Sequence, residues 1–212
     1  AGDSKSFGGW EQWADVIIFQ GHALEVFPVL QTSTKHLIAD IYDPMHLEQL
    51  EQAKHLSNAQ WEQQVADATA TIQRQLEVGD YFLCASERQR HFYLGQLTTL
   101  GRVTPAIYAS DPHLERLIGV VPFGLPDSDP HKDKSMLRGV IPGIDEGDAV
   151  LVWSGGIYDW FDPLTLIRAV AELSKKQPRV KLFFMGTAHP HPGVPEMPII
   201  ASARELAAEL GV

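Results

Sequence analysis

Two adjacent glycines and several aromatic residues lie in the stretch WSGGIYDWFDP, residues 153–163. Glycine lets a ligand approach the backbone closely, so the N–H groups of Gly155 and Gly156 could donate hydrogen bonds to phosphate oxygens. The aromatic rings that follow could pack on a sugar or a nucleobase, and they belong to Tyr158, Trp160 and Phe161. The other interpretation is a tight turn between a strand and a helix, whose rings cover an interface between domains. A Gly-Gly pair in such a turn does not distinguish the two interpretations.

Polar or glycine residues also follow the other apolar runs of the chain. In an open parallel sheet, ligands bind outside the carboxyl ends of the strands. This rule selects five pairs of residues, which are Gly21-His22, Tyr42-Asp43, Ala85-Ser86, Gly155-Gly156 and Gly186-Thr187.

Two of these strand ends carry side chains with alternative roles. His22 either faces a cleft between domains or is an ordinary surface residue. Asp40 or Asp43 could hydrogen-bond a sugar hydroxyl, whereas Asp43 could instead cap the helix that follows Pro44.

Other chemically reactive residues have simpler interpretations. His189 and His191 in HPHP are close in sequence but lack a cluster of cysteine or acidic ligands, so no metal site is predicted. Ser86 is not surrounded by a Gly-x-Ser-x-Gly elbow and is interpreted as a helix N-cap. Cys84 is the single cysteine, which excludes an intrachain disulfide, and its apolar neighbours predict a buried thiol.

Composition narrows the class of protein. The chain has 212 residues, a net charge of −10 and a pI of about 5.3. It lacks the basic runs typical of proteins that bind nucleic-acid phosphates. No apolar segment reaches the roughly 18 residues of a membrane span, and no signal peptide is visible. We therefore expect a cytoplasmic protein, with peripheral contact to the inner face of the membrane left open.

Short apolar runs alternate with helical patterns. Apolar runs predict strands at 15–21, 35–44, 80–85, 120–126, 149–156 and 181–186. Helical patterns occupy 45–78, with a break near Ser57, and then 86–101, 163–176 and 199–212. This alternation predicts an α/β protein with parallel sheets covered on both faces, in two Rossmann-like units.

The two units are separated by a change in composition. Residues 127–147 are polar, contain proline and glycine and lack periodicity, so they are predicted as a linker between domains 1–126 and 148–212. Both predicted sheets have too few strands for complete doubly wound domains. We therefore expect an internal piece of a longer protein, and open sheet edges predict some self-association.

Several stretches together resemble one enzyme family. AVLVWSGG, then Leu166-Ile167-Arg168-Ala169, then Val180-Lys181-Leu182 with a terminal Gly186 are similar to the C-terminal domain of family-four retaining glycosyltransferases, which have the GT-B fold. Upstream, DYFLCASERQRHFYLG, VVPFGLP, DVIIFQGHALEVFP and HLIADIYDP resemble the family's N-terminal domain. The resemblance covers roughly residues 13 to 210, and GGIYDWFDP resembles a subgroup linked with surface-polysaccharide synthesis.

The resemblance implies transfer of a hexose, with retention, from a UDP-, GDP- or dTDP-sugar to a glycan or lipid-linked acceptor. It implies no catalytic metal and no covalently bound cofactor, with the donor held between the two domains. Gly155, Gly156, Tyr158, Trp160, Phe161 and Gly186 then take the donor-binding positions, and Tyr42, Asp43 and His22 the catalytic ones.

Three departures from the family pattern affect this implication. Gly156 and Phe161 stand where most members have an arginine and a lysine, and Tyr42 stands where they have a histidine. The family's two-glutamate motif lies beyond Val212, so the chain alone is expected to be inactive. A non-catalytic nucleotide- or effector-binding module and a purely structural interaction module are the alternatives.

Overall fold

The computed structural model describes residues 4–131, 134–186 and 196–212. The chain divides into two compact units, Ala1–Pro126 and Asp127–Val212. Each unit contains a parallel sheet and helices, so the predicted α/β class is confirmed. Residues 127–147, the predicted linker, fall within the second unit.

The first unit is built on a sheet of four strands. Its elements in chain order are α1 (Ser4–Trp13), β1 (Val16–Gln20), α2 (Ala23–Val26), a 3-10 helix (Pro28–Thr32), β2 (His36–Asp40), α3 (Met45–Gln52), α4 (Asn58–Val78), β3 (Tyr81–Cys84), α5 (Glu87–Thr99), α6 (Pro105–Ser110) and β4 (Ile118–Val120). The strands lie in the order β1-β2-β3-β4 and all pairs are parallel. All four carboxyl ends therefore lie at one edge of the sheet.

The long helical pattern after Pro44 forms two helices, as predicted. Ser57 is the N-cap of α4, and its N–H and its hydroxyl donate to Oε1 of Gln60 over 3.3 and 2.7 Å. The buried face of α4 carries Ile72 and Leu76, which join the core with Phe82 of β3. This packing fixes the start of β3, because β3 follows the end of α4 after two residues.

The predicted caps at both ends of α5 are confirmed. The hydroxyl of Ser86 accepts from the N–H of Gln89 at the start of α5, and Gly101 follows that helix with φ of 72°. A left-handed φ of this kind suits glycine, which ends many helices in this way. The Ser86 hydroxyl is thus engaged in capping, as expected.

The second unit contains a two-stranded sheet among the residues that the structure describes. Its elements are β5 (Ala149–Trp153), α7 (Pro163–Ser174), β6 (Val180–Phe184) and α8 (Pro198–Leu210). β5 and β6 are parallel, with Ala149 opposite Val180 and Trp153 opposite Phe184. The loop WSGGIYDWFDP therefore leaves the carboxyl end of β5 and leads into α7.

Two helices of the first unit do not match the sequence predictions. α1 contains Gly8 and Gly9, whose low helix propensity hides it, and Phe7 of this helix stacks on Phe27 at 4.1 Å between ring centroids. α6 spans 6 residues, with Thr104 as its N-cap and Pro105 at its first position. β4 also lies earlier than predicted and ends at Val120.

No helix in the described ranges is both long and apolar enough to cross a membrane.

Candidate functional site

Tyr42 and Asp43 follow β2 at the carboxyl edge of the first sheet, where the strand-end rule places ligand-binding residues. The side chain of Gln89 from α5 holds this strand end. Its Nε2 donates to the carbonyl of Tyr42 over 2.7 Å, and its Oε1 accepts from the N–H of Ala85 over 2.8 Å. One amide thereby links the segments that follow β2 and β3.

Asp43 is hydrogen-bonded to Glu48, which lies in the first turn of α3. Burial, this hydrogen bond and the repulsion between the two carboxyls raise the pKa of Glu48 from 4.5 to about 7. Glu48 therefore keeps its proton at mildly acidic pH and can donate it to an oxygen of Asp43. The alternative role of Asp43 is not found, because Pro44 is the N-cap of α3 and no side-chain hydrogen bond caps that helix.

Tyr93 of α5 lies within electrostatic range of Asp43 and Glu48. Its side chain is fully buried, and its hydroxyl has no hydrogen-bond partner among the described residues. Burial is the main cause that raises the pKa of Tyr93, followed by interactions with Asp43, Cys84 and Glu48. A buried hydroxyl without a partner is rare and costs stability, which marks this position for a functional interpretation.

Three further residues belong to the same part of the fold: Tyr42 follows β2, His46 lies on α3 and Cys84 ends β3. Burial lowers the pKa of His46, whose Nδ1 is buried without a partner in the described structure and whose ring stacks on Phe92 at 5.5 Å. Cys84 is buried as predicted, and burial raises the pKa of its thiol. Tyr42 is half-buried, with its ring edge-on to Phe123 at 5.8 Å.

His22 lies at the carboxyl end of β1, before α2. Its side chain is 68% exposed, and Nδ1 lies 4.0 Å from Oε2 of Glu25. The carbonyl of the preceding Gly21 accepts from Nε2 of Gln75 over 2.6 Å. Within the described residues, His22 makes no hydrogen bond or ring contact with Tyr42 or Asp43.

In the second unit, aromatic side chains at the end of β5 and in the loop after it pack on one another. They form an aromatic layer of Trp153, Tyr158, Trp160 and Phe161. Tyr158 and Trp160 are stacked at 4.6 Å with an interplanar angle of 11°, and Phe161 lies 5.7 Å from Tyr158. Trp153 at the end of β5 packs edge-on against Phe161 at 5.9 Å, and its Nε1 donates to the carbonyl of Gly156 over 3.0 Å. These contacts give the loop a defined conformation.

The two loop glycines have different roles. A Cβ at Gly156 would lie 2.8 Å from the ring of Tyr158, so glycine at this position makes room for the stacked tyrosine. A Cβ at Gly155 would meet nothing within 4 Å, and this residue is exposed. Gly186 lies beside it, since a Cβ there would be 3.9 Å from the carbonyl oxygen of Gly155.

The charges of the loop are negative. Asp162 caps α7 by accepting from the N–H of Thr165 over 3.0 Å, and this hydrogen bond lowers the pKa of the carboxyl. Asp159 accepts from the N–H of Ile199 at the start of α8 over 3.1 Å. Residues 153–163 contain neither lysine nor arginine. Any phosphate at this loop would therefore depend on backbone N–H groups.

No metal centre is found in the described parts of the chain, where no group of three histidine, cysteine or acidic side chains could hold an ion. His189 and His191, the pair considered in the sequence, lie outside the described residues.

The fold and the two strand-end sites define a mixed α/β protein built from parallel βα units. No protein-family model and no curated protein matches the chain.

The raised pKa of Glu48 predicts a dependence of stability on pH. A carboxyl whose pKa is higher in the folded state stabilises the fold below pH 4.5, and this stabilisation is lost as pH rises through about 7. Because Glu48 is only half-buried and solvent screens the pair, we expect a loss on the order of 1 kcal/mol. Urea denaturation at several pH values measures it.

The matched variants for this prediction are Glu48→Gln and Glu51→Gln, which change the same residue type on α3. Glu48→Gln should flatten the dependence between pH 4.5 and 7, whereas Glu51→Gln at an exposed site should preserve it. Equal slopes for both variants would contradict the assignment to Glu48.

Proposed function

We propose that the chain is part of a retaining glycosyltransferase that takes a hexose from a nucleotide-sugar and transfers it to a glycan or lipid-linked acceptor. The observation that carries the proposal is the geometry of the loop after β5. There the exposed backbone of Gly155 lies beside Gly186 at the ends of two parallel strands, next to stacked aromatic rings. Together with the ordered resemblance in sequence, this geometry supports a site for a nucleotide-sugar.

The residues of the loop suit the two parts of such a donor. Backbone N–H groups at Gly155 and Gly156 can donate to diphosphate oxygens, because Gly155 leaves open space for them. Trp160, Tyr158 and the 42% exposed ring of Phe161 offer apolar faces for a sugar or a nucleobase. Affinity would then come from stacking and from backbone donors, without cationic side chains.

At the first sheet, Asp43, Tyr42 and His22 supply groups that could hydrogen-bond sugar hydroxyls. Catalysis in this proposal depends on stabilising the departing diphosphate and an oxocarbenium-like sugar, so correctly placed charges and dipoles matter more than a nucleophile.

A non-catalytic nucleotide- or effector-binding module is the second candidate. The observation that favours it is the absence of arginine and lysine from residues 153–163, where most members of the resembled family have cations that neutralise the donor diphosphate.

Calorimetric titration with UDP-, GDP- and dTDP-hexoses tests the proposal. We expect one sugar nucleotide to bind, and to bind more tightly than its nucleoside diphosphate alone, because the sugar adds contacts with the aromatic layer. Equal affinity for the diphosphate alone would favour the effector-binding module. No binding by any of them would contradict a nucleotide site in this chain.

Substitutions of single glycines test whether the sugar nucleotide binds at the loop after β5. Gly155→Ala should lower affinity for the sugar nucleotide roughly tenfold and leave stability unchanged, because its methyl group enters only the open space. Gly156→Ala should displace Tyr158 from Trp160 and change tryptophan fluorescence even without ligand. Gly95→Ala, also in open space but in α5, is the control and should not alter affinity. Unchanged affinity in Gly155→Ala would place the donor elsewhere.

A further inference from the structure

A groove runs between α4 and α5 of the first unit, with His46 of α3 also in its lining. Its volume is about 380 Å³, which is within the range of sites for small molecules. Each of the two helices contributes residues spaced by three and four positions, so one face of each helix lines the groove. The apolar part of the lining comes from Ile72, Leu76, Phe92 and Leu100.

The polar part of the lining carries no charge. It consists of the hydroxyls of Thr69 and Thr99, the amides of Gln73 and Gln96 and the imidazole of His46. Burial lowers the pKa of His46, so its ring is neutral at neutral pH. None of the described residues that line the groove is a lysine, arginine, aspartate or glutamate. A charged ligand would therefore lose hydration here without meeting an opposite charge.

The hydroxyls and amides of the groove have hydrogen-bonding capacity to spare. The hydroxyls of Thr69 and Thr99 donate to backbone carbonyls four residues earlier, over 2.7 and 3.0 Å, so their oxygens remain acceptors. Gln73 donates through Nε2 to Oε1 of Glu77 over 3.0 Å and keeps its own carbonyl oxygen as an acceptor. The amide of Gln96 has no partner in the described parts of the chain. A ligand with several hydroxyls, each both donor and acceptor, matches this set of groups.

Gly95 of α5 contributes open space to the groove. Glycine in the interior of a helix lowers its stability relative to alanine. A Cβ at Gly95 would meet nothing within 4 Å, and its φ is not left-handed, so neither close packing nor backbone conformation requires glycine there. A local choice that disfavours the helix without a structural reason is typical of a functional position.

Phe92 gives the groove an aromatic surface. Its ring is 38% exposed and is stacked with the ring of His46 at 5.5 Å between centroids, with an interplanar angle of 22°. The C–H groups of a pyranose ring form an apolar face that packs on such a ring. The hydroxyls at the rim of the same sugar then point toward the amides and hydroxyls of the lining.

We propose that the groove between α4 and α5 binds a neutral saccharide, with the apolar face of a pyranose on Phe92 and its hydroxyls bonded to Gln73, Gln96 and the two threonines. A hydrocarbon in the same place would remove water from these polar groups and leave them unpaired. The class of ligand follows from the lining of the groove and does not depend on the glycosyltransferase proposed above.

The test is an NMR titration of the 212-residue chain with four neutral sugars, namely glucose, galactose, mannose and N-acetylglucosamine. Glucuronate, which adds a carboxylate, and cyclohexanol, which has a single hydroxyl, are the comparison ligands. We expect at least one neutral sugar to shift the amide signals of Gly95 and Gln96. It should bind roughly tenfold more tightly than glucuronate or cyclohexanol.

Three results of this titration would overturn the inference. The first is that no neutral sugar shifts the signals of Gly95 and Gln96. The second is equal or tighter binding of cyclohexanol, which would assign the groove to apolar molecules. The third is equal or tighter binding of glucuronate, which would assign it to an anion.

Three variants separate recognition from folding. Gly95→Leu places a side chain in the open space of the groove and should weaken sugar binding at least tenfold. His91→Leu changes an exposed residue of the same helix outside the lining, and should bind the sugar as well as the unchanged chain does. Gln96→Leu keeps the approximate size of the side chain but removes the amide, so it should weaken binding of the sugar several-fold and leave cyclohexanol unaffected. Full sugar binding in both Gly95→Leu and Gln96→Leu would refute the site.

The outcome is independent of the titration with sugar nucleotides, because the groove belongs to the first unit and the loop after β5 to the second. Binding of a nucleotide-sugar without any neutral sugar in the groove would overturn this inference alone. A neutral sugar in the groove without any bound nucleotide-sugar would contradict the donor site and leave the groove in place.

Discussion

Replacing Gln89 with alanine should lower the free energy of unfolding by about 2 to 3 kcal/mol. The substitution removes two short hydrogen bonds, to the carbonyl of Tyr42 and from the N–H of Ala85, and leaves both partly buried backbone groups unpaired. The strand end that carries Asp43 would then lose its link to β3. We therefore also expect the pKa of Glu48 to move down from about 7, measured by NMR titration of its carboxyl carbon.

Two further variants make this expectation specific. Gln73→Ala removes an exposed glutamine that bonds Glu77 on α4, and should change stability by less than about 0.5 kcal/mol. Gln89→Glu keeps the acceptor for Ala85 but loses the N–H donor to Tyr42 at neutral pH. Protonation at low pH restores an O–H donor, so this variant should regain stability there relative to Gln89→Ala. Equal stability of Gln89→Ala and Gln73→Ala would show that the bridge does not hold the strand end.

The strands of this protein are predictable because each is a continuous apolar run, as is typical of parallel sheets. The expected burial on both faces is wrong for the edge strand β1, where Val16 and Ile18 are exposed. Two of these runs, VIIFQ and YFLC, end at glycine or at a cap that marks the boundary. The same reasoning located Tyr42 and Asp43, since the rule for strand ends needs only the end of β2.

Local propensity failed where tertiary contacts decide the structure. Gly8 and Gly9 disfavour a helix, yet α1 forms and Phe7 stacks on Phe27. The contact joins residues far apart in sequence, so no local pattern reveals it. At Thr104-Pro105 the signal for a helix start was present, but the helix is too short to show periodicity.

The chemistry of the first site depends on pairings across the fold. Gln89 and Tyr42 are 47 residues apart, and neither type predicts the other. Glu48 in the first turn of α3 has the sequence signature of an ordinary acidic residue near a helix N-terminus. Only the turn at Pro44 brings it to Asp43, and only the packing of α5 adds the buried hydroxyl of Tyr93.

From the sequence, Gly155 and Gly156 were both predicted to offer backbone N–H groups to phosphate oxygens. The structure gives the two glycines different roles. Gly156 makes room for the ring of Tyr158, while Gly155 leaves its backbone open. The difference follows from the stacking of Tyr158 on Trp160, which depends on how the loop turns toward α7.

Arg102→Ala should have a larger effect than any surface substitution, with a loss of about 3 kcal/mol in the free energy of unfolding. The last carbonyls of a helix have no partner within the helix. At the end of α4 the guanidinium of Arg102 donates to the carbonyls of Leu76 and Glu77 and, over 2.7 Å, to that of Gly79. It also lies over the ring of Phe82, 5.8 Å from the centroid.

The control for Arg102 is Arg74→Ala, which breaks an exposed ion pair with Glu77 on the same helix and should cost less than about 0.5 kcal/mol. Arg102→Lys should fall between the two, because an ammonium cannot reproduce the planar fork that reaches three carbonyls. Urea denaturation compares the three. A loss in Arg102→Ala no larger than that in Arg74→Ala would show that solvent satisfies these carbonyls equally well.

The end of α4 that Arg102 holds is linked to two strands of the first sheet, β1 and β3. α4 carries Gln75, whose side chain holds the carbonyl of Gly21 beside His22. Gly79 leads directly into β3, whose end is joined to Tyr42 by Gln89. Arg102→Ala should therefore speed amide hydrogen exchange at the ends of β1 and β3 as well as at the end of α4. Faster exchange confined to α4 would mean that the strand ends keep their positions without this arginine.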